Sequence, residues 1–491
     1  MGEGRKKIAR TVWGTLPVIN KIYNRVPYSI KNILASTYGR RLYRRRYANK
    51  YYLDAIDKII ERETWDLEQL SKYQDACLSS LLSVAFRHVP FYRNLLKGGK
   101  IGPEEIKGRK DLTVVLPVLD KSFVRQAPED FIDERLDPRK LNRVYTSGTT
   151  GTPLCIYRDE RADGLAYAFY EARWRLPYGI SKDSRWAMLG GKLIIPQTQR
   201  KPPFWVWNAG LNQLYMSSYH LAPEFVESYL EEIKRRRLEY IHGYASSLYT
   251  LALFAEKLGI DDIKFKVAIS NAEPLYPYQR KKISSSFNCR VVDTYGCTEW
   301  CFQGSECSGN RLHLSPDVGF FEVLDASNNP VPEGEIGELV CTGFVNYAQP
   351  LIRYKTGDSV RVSYKKCGCG SSFPVLESVE GRCDDLIILE DGRRVGRLDP
   401  VFKQEMPIIE AQIIQNDINV FVIKVVPDNA WKSNDEKALR QSFCEFVGNV
   451  NVQIEVVKSI PRTKSGKFKA VISFMGGNDK NLSSEKANEG V

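Results

Sequence analysis

From about residue 140 the chain alternates two patterns, and this alternation limits its fold more than any other feature. Short apolar runs rich in β-branched and aromatic residues, "RWAMLG", "EYIHGY", "KVAIS" and "CRVVDTYG", recur along it. Between them lie stretches with helical spacing, such as "APEFVESYLEEIKRRR" and "SSLYTLALFAEKLG". Strand–helix–strand succession predicts a parallel sheet with crossover helices. Upstream, "WDLEQLSKYQDACLSSLLSVAFRHVPFYRNLL" carries apolar residues at three- and four-residue spacing and predicts a helix ending near Pro90. Beyond about 315, "GFFEVLD", "GELVCTGF" and "SVRVSY" predict strands, with "NNPVPEGEIGE" as a turn cluster. A compact α+β unit follows. The expected architecture is therefore α/β. A helical N-terminal region at 1–110 packs on a large domain at 111–383. A small α+β C-terminal domain spans 384–476, and the polar tail 477–491 is expected to be disordered.

A length of 491 residues supports two or three domains. With 43% hydrophobic and 26% charged residues, the composition is that of a soluble globular chain. A net charge of +12 favours anionic partners. Nucleic acid is not expected among them, because the basic clusters come without an RNA-recognition motif. Eleven cysteines without a secretory leader point to a reducing, cytoplasmic compartment. The apolar stretch "TVWGTLPVINKIY" is too short, and too broken by Pro17, to span a bilayer. Two readings of the basic N-terminus stay open: a helix packed on its own domain, or peripheral contact with the inner membrane face, helped by "RRLYRRRYANKYY".

"YTSGTTGTP" crowds hydroxyls and glycines into a loop after Val144. It lacks the Gly-Lys-Ser/Thr ending of a Walker A motif and the spacing of a dinucleotide fingerprint. What remains is a plain turn, or a loop whose N–H groups and hydroxyls surround a polyphosphate. Cys307, His313, Cys367 and Cys369 form two close pairs, "CSGNRLH" and "CGCG", of ligand types that suit tetrahedral zinc. The alternative is free cysteines beside a surface histidine.

Four further motifs come after the loop in order: "DTYGCTE", "YKTGD", "GRCDD" and "PRTKSGK". With it they resemble the adenylate-forming (AMP-forming) acyl ligase family over about residues 65 to 475. "FRHVPFYRNLL", "LPVLDKSFVR", "SSYHLAPE" and "SNAEPL" resemble its phenylacetate–CoA ligase-like branch, which includes capsule-biosynthesis-associated members. The resemblance implies that a carboxylate attacks the α-phosphate of ATP, giving an acyl-adenylate and pyrophosphate. Coenzyme A, an amine or a sugar then accepts the acyl group. Both reactants of the first half are already charged at pH 7, so it needs positioning and charge neutralisation rather than a base.

The family pattern further implies a role for each matched residue. Thr146, Ser147, Gly148, Thr149, Thr150 and Gly151 would hold the β- and γ-phosphates. Leu154 stands where many members have lysine. Tyr295, with Gly296, would lie against adenine, bordered by Ala272, Glu273 and Pro274. Thr298 would donate to the α-phosphate, and Glu299 would hold Mg²⁺. Asp358 would accept from the ribose hydroxyls and Arg382 would reach the ribose and phosphate. Tyr219, His220, Gly243 and Tyr244 would line the acyl pocket. Lys467 would stabilise the pentavalent phosphate, then leave as the small domain turns about a hinge at Asp384. A catalytically silent nucleotide-binding or assembly protein of the same fold is the second reading. Retention of Glu299, Asp358, Arg382 and Lys467 argues against it.

Overall fold

The computed structural model describes Tyr23, residues 26–98, Ile106 and residues 108–146, 154–192, 194–196, 198–222, 224–382, 387–390, 394–395, 406–448, 450–462 and 468–475. Asp384, Lys467 and the tail at 477–491 lie outside the described residues.

Strands β1 (Asn142–Tyr145) and β2 (Cys155–Arg158) form an antiparallel hairpin. The main sheet has twelve strands. One half holds β3 (Trp186–Gly190), β4 (Trp205–Asn208), β5 (Gln213–Ser217), β6 (Tyr240–Tyr244), β7 (Val267–Asn271) and β8 (Arg290–Gly296). Their order is β8-β7-β6-β3-β5-β4, all parallel except the edge strand β4. β8 pairs antiparallel with β9 (Gln303–Glu306), and the sheet continues into an antiparallel half. That half contains β10 (Leu312–Leu314), β11 (Gly319–Leu324), β12 (Ile336–Gly343), β13 (Tyr354–Ser363) and β14 (Val375–Arg382). The strands read downstream of 315 thus extend the same sheet.

Alternation along the parallel strands decides what each face meets. Ala187, Leu189, Leu214, Met216 and Ile241 are buried in one large core cluster. Their sequence neighbours Trp186, Met188, Tyr215, Tyr240 and His242 face the opposite way, towards the N-terminal helical layer.

That layer begins with α1 (Tyr28–Tyr47), which buries Lys31, Ala35, Gly39 and Tyr47. It lies along the edge strand β4. Asn32 Oδ1 accepts from Trp207 N–H at 2.9 Å and Ser36 Oγ from Ala209 N–H at 2.9 Å, so helix side chains satisfy an edge that would otherwise be open. Gly39 permits the approach, since a Cβ there would overlap the Asn208 carboxamide. Tyr43 donates to Asp183 at 2.9 Å and Arg45 pairs with Asp163. Of the two readings of the basic N-terminus, the described part is a helix packed on the large domain. No helix among the described residues is long and apolar enough to cross a membrane.

Helix α2 (Leu67–His88) starts at a capping box. Asp66 Oδ1 accepts from Gln69 N–H at 2.8 Å, and Gln69 Oε1 accepts from Asp66 N–H at 3.0 Å. Its apolar face joins the core of the antiparallel half. A separate helix begins at Pro90.

After the short strands β15 (Ile387–Ile388) and β16 (Arg394–Val395), the small domain has a four-stranded sheet. β17 (Ile408–Asp417) and β18 (Val420–Pro427) form its central hairpin. β19 (Asn451–Val456) and β20 (Val471–Ser473) add parallel edges, and a separate core of mainly aliphatic residues lies beneath.

Candidate active site

The sequence motifs converge on the C-terminal edge of the parallel strands, where open α/β sheets place ligands. Thr146 N–H donates to Leu154 O at 2.9 Å, and Leu154 N–H donates to the Thr146 hydroxyl at 2.9 Å. These bonds close the β1–β2 hairpin and bring the two ends of the hydroxyl-rich loop together. Ser147, Gly148, Thr149, Thr150 and Gly151 lie outside the described residues.

Beyond β7 the chain turns sharply at Ala272, whose φ of +64° is left-handed and rare for a residue with a Cβ. Glu273 is next. Its Oε2 accepts from Ser246 N–H at 3.0 Å and its Oε1 from Phe468 N–H at 2.6 Å. One carboxylate thereby joins the large domain to the small-domain segment immediately after Lys467. A second contact, Lys257 Nζ to Asp428 Oδ2 at 2.9 Å, joins the domains elsewhere.

Tyr295 stands at the end of β8, with its ring centroid 4.6 Å from that of Phe302. Its hydroxyl donates to Asp358 Oδ2 at 2.8 Å. Asp358 pairs across the ladder with Arg382, so three residues assigned to the nucleotide meet at one place. Thr298 sits half-buried in the turn after β8 and Glu299 is buried behind it. Glu299 Oε1 accepts from the Tyr354 hydroxyl at 2.9 Å and lies 3.0 Å from Lys121 Nζ. Burial opposes the Glu299 charge, but Lys121 and the hydrogen bonds from Lys121 and Tyr354 hold its carboxyl below the usual range, so it is ionised at neutral pH. Asp293 behaves oppositely: burial and the Glu306 carboxylate push it up to about 7, against the pull of Arg280.

The proposed acyl-pocket residues divide. Tyr219 donates to Gly191 O at 3.2 Å. His220 is buried, stacked on Phe204, and both ring nitrogens are engaged: Nδ1 with Ser217 Oγ at 2.8 Å and Nε2 with Pro196 O at 3.1 Å. It has no ring nitrogen left for a substrate. Gly243 turns to the opposite face, where a Cβ would crowd Leu189 and Leu248. Tyr240 and His242, on the other face of β6, line the cavity instead.

Sequence reasoning missed Lys121 and His242. Lys121 heads α3 (Lys121–Gln126), which Asp120 caps by accepting from Ser122 N–H at 2.8 Å. An Asp-Lys pair opening a helix was a visible capping signal, but nothing linked it to Glu299. The period-two pattern of "YIHGY" could have separated His242 from Gly243.

Cys307, His313, Cys367 and Cys369 do come together: one ligand atom from each lies within 4.8 Å of all the others. Cys307 and Cys367 sulfurs are 3.9 Å apart, and Cys369 Sγ is 3.6 Å from His313 Nε2. His313 Nδ1 meets Phe373 O at 2.9 Å, which fixes the ring with Nε2 towards the sulfurs.

The family described as "AMP-binding enzyme" matches residues 184–347, and the family described as "CapK C-terminal domain" matches residues 387–474. The chain is 28% identical to protein CapK of Staphylococcus aureus, over 93% of this chain and 99% of that protein. It is 28% identical to a phenylacetate-coenzyme A ligase of Thermus thermophilus, over 67% of this chain and 74% of that enzyme. Its fold superposes on 2-hydroxyisobutyryl-CoA ligase in the postadenylation state with a TM-score of 0.69 at 20% identity, covering 87% and 93% of the two chains. The same ligase in its thioesterification state gives 0.52. These matches liken the chain to the adenylate-forming ligases, and within them to the phenylacetate-CoA ligase-like and CapK-like branch.

Proposed function

We propose that the protein activates a carboxylic acid with ATP, releasing pyrophosphate, and passes the acyl group from the adenylate to coenzyme A or to an amine or sugar acceptor. The observation that carries this reading is the meeting of Glu299, Asp358 and Glu273 at one strand edge, with the small-domain segment after Lys467 fastened to Glu273.

Binding and orientation fall to side chains already held in place. Asp358, fixed by Tyr295, offers carboxylate lone pairs to the ribose hydroxyls, and Arg382, on the strand paired with it, would reach the same sugar. The loop between Thr146 and Leu154 would hold the outer phosphates, and Thr298 would donate to the α-phosphate. Lys121 and Lys467 bring cations to phosphate oxygens from opposite domains. Glu299 would hold Mg²⁺: its Oε1 takes both internal contacts, while Oε2 bonds no other described residue. Bound there, the ion would neutralise phosphate charge.

The second half-reaction needs the small domain to move. Loss of the Phe468–Glu273 and Lys257–Asp428 contacts would free it to turn about Asp384, carrying Lys467 away. The closer superposition on the postadenylation state supports an adenylation-side arrangement here.

Cys307, His313, Cys367 and Cys369 would hold zinc. Zn–S bonds of about 2.3 Å in a tetrahedron set sulfurs about 3.8 Å apart, close to the 3.9 Å between Cys307 and Cys367. Four protein ligands leave no open position, so the ion would brace the turn between β13 and β14 against β9 and β10. Its role is structural.

The test is product analysis with a panel of carboxylates, with and without coenzyme A. AMP and pyrophosphate are expected. ADP and phosphate as products would rule out the assignment.

A further inference from the structure

Between the near face of the parallel strands and the helical layer lies a cavity of about 260 Å³. The sheet supplies one wall, including Tyr215, His242 and Asn271. The other comes from α1 and from α4 (Glu160–Tyr170), which continues into a widened π-helical turn, Glu171–Arg175. Such turns re-aim side chains and recur at functional sites. Here the turn sets Trp174 into the wall. Tyr170 packs on Trp174, with centroids 4.2 Å apart, and edge-on against Trp300, at 4.9 Å, directly beside Glu299. Asn271 immediately precedes the Ala272–Glu273 turn. The cavity therefore abuts the nucleotide edge and sits where the acyl group belongs, a placement that rests on the proposed adenylation.

The wall chemistry is unlike that of a pocket for an aliphatic or simple aryl acid. Four lining residues are cations, Arg46, Arg175, Lys182 and Lys192, and no lining residue is a carboxylate. Glu171 pairs with Arg175 at 3.0 Å, and Asp183 pairs with Lys182. Arg46 differs. Its guanidinium stacks 4.3 Å over the Tyr167 ring and makes no hydrogen bond or ion pair among the described residues. The acid that bears on it, Asp163, is already bound by Arg45 and by Asn142, the latter at 3.1 Å.

Buried polar atoms of the lining with no hydrogen-bond partner among the described residues include Asn208 Oδ1 and the Tyr240 hydroxyl, together with Trp174 Nε1, His242 Nε2 and Asn271 Oδ1. Burial, with Arg175 nearby, pulls His242 down to about 3, so its ring is neutral at physiological pH. A buried polar atom left unpaired costs about 1–3 kcal/mol. A saturated alkyl or phenyl group would leave these atoms unpaired and the guanidinium without an anion. A site built with unmet donors and acceptors rejects ligands that cannot pair with them.

We propose that this cavity accepts an acid carrying a second, distal anionic group and at least one hydroxyl, with Arg46 binding the distal anion and Trp174, His242 and Asn271 reading the hydroxyl. A hydroxylated dicarboxylate and a hydroxy acid bearing a phosphate share this chemistry.

The experiment compares hexanoate and phenylacetate, which lack a distal charge, with glutarate, 3-hydroxyglutarate and 4-phosphonobutyrate on the full-length protein. Two readouts are taken: ATP-dependent pyrophosphate release, and calorimetric binding of each acid without ATP. The hydroxylated dicarboxylate should exceed hexanoate in kcat/KM and affinity by about 10- to 100-fold, the scale of one charge-assisted hydrogen bond. The stronger of the carboxylate and phosphonate arms identifies the distal anion. Arg46→Gln should cut that preference at least tenfold, and Arg46→Lys should restore part of it.

Preference for hexanoate or phenylacetate in the unmodified protein overturns the proposal and leaves adenylation standing. So does a preference unchanged in Arg46→Gln. Arg46-dependent binding of 3-hydroxyglutarate with no pyrophosphate from any acid sustains the cavity and overturns adenylation. Absence of both binding and turnover with the distal-anion acids overturns the cavity proposal. The comparison of acids on the unmodified protein stands even if Arg46→Gln fails to fold.

Discussion

The nucleotide edge and the cavity beside it are built on opposite plans. At the edge, the functional side chains are already bonded to the protein. Tyr354 and Lys121 hold Glu299, Tyr295 holds Asp358, and two backbone N–H groups hold Glu273. In the cavity, Trp174, His242 and Asn271 keep unmet bonding capacity, and Arg46 keeps an unmet charge. The edge meets the same ligand in every turnover, so fixing its geometry beforehand lowers the reorganisation needed to reach the transition state. The cavity must distinguish acids, and it does so with bonds only the right acid completes. One region is preorganised for rate, the other left incomplete for selection.

The contrast breaks most clearly if an edge substitution changes the preference among acids. Lys467→Ala should slow adenylation by about 10²–10³-fold, with every acid alike. The same variant, given synthetic acyl-adenylate, should transfer the acyl group at a near-normal rate. Equal slowing of both halves in single-turnover measurements would remove Lys467 from the first half-reaction.

Next in size is the metal. Purified protein should hold about one zinc per chain by elemental analysis after dialysis, as four soft or borderline ligands imply. Cys367→Ser should lose the ion and several kcal/mol of stability to chemical denaturation. Zinc below about a tenth of an equivalent in the unmodified protein would argue for four free side chains instead.

A smaller effect tests preorganisation itself. Tyr354→Phe removes one hydrogen bond to Glu299 and should lower kcat for adenylation about tenfold, the worth of one bond to a charged group. The ratio of kcat/KM between any two acids should stay constant, and a changed ratio would merge the two regions into one.

Asp293 is the exception at the edge, and its effect is the smallest. Its folded-state pKa of about 7 lies above the usual carboxyl value, so the folded protein binds the extra proton. Its contribution to stability is therefore full below about pH 4, falls as pH rises towards 7, and is flat above. Asp293→Asn removes that decline. The variant should gain about 2 °C or more in Tm at pH 8 relative to its change at pH 5. A Tm difference independent of pH would place the proton elsewhere.

Legibility in the sequence divides along the same line. The order of elements was readable because strands and helices announce themselves by local period. Glu299, Asp358, Tyr295 and the Cys/His set were readable because each sits in a short turn or strand-end motif. Lys121 was not, because its partner lies 178 positions away, across another part of the fold. The cavity was least legible. "SSYH" and "IHGY" each offer a histidine in an aromatic setting, and local pattern favours His220, whose nitrogens bond within the protein, over His242. Only the pairing of β6 between β3 and β7, with a helix from the N-terminal region laid over them, shows which side chains face the open space.

Helix α1 has a consequence for how such a chain can diverge. It rests on β4 through two side-chain caps and the glycine contact at Gly39, and it sends Arg46 to the cavity from a segment that carries none of the nucleotide residues. Mutations along one stripe of this helix can redraw the range of acids accepted while leaving the chemistry of activation intact. Ancestry would then be recorded in the sheet and diet in the helix, so copies of such a gene could part ways in substrate long before they part in mechanism.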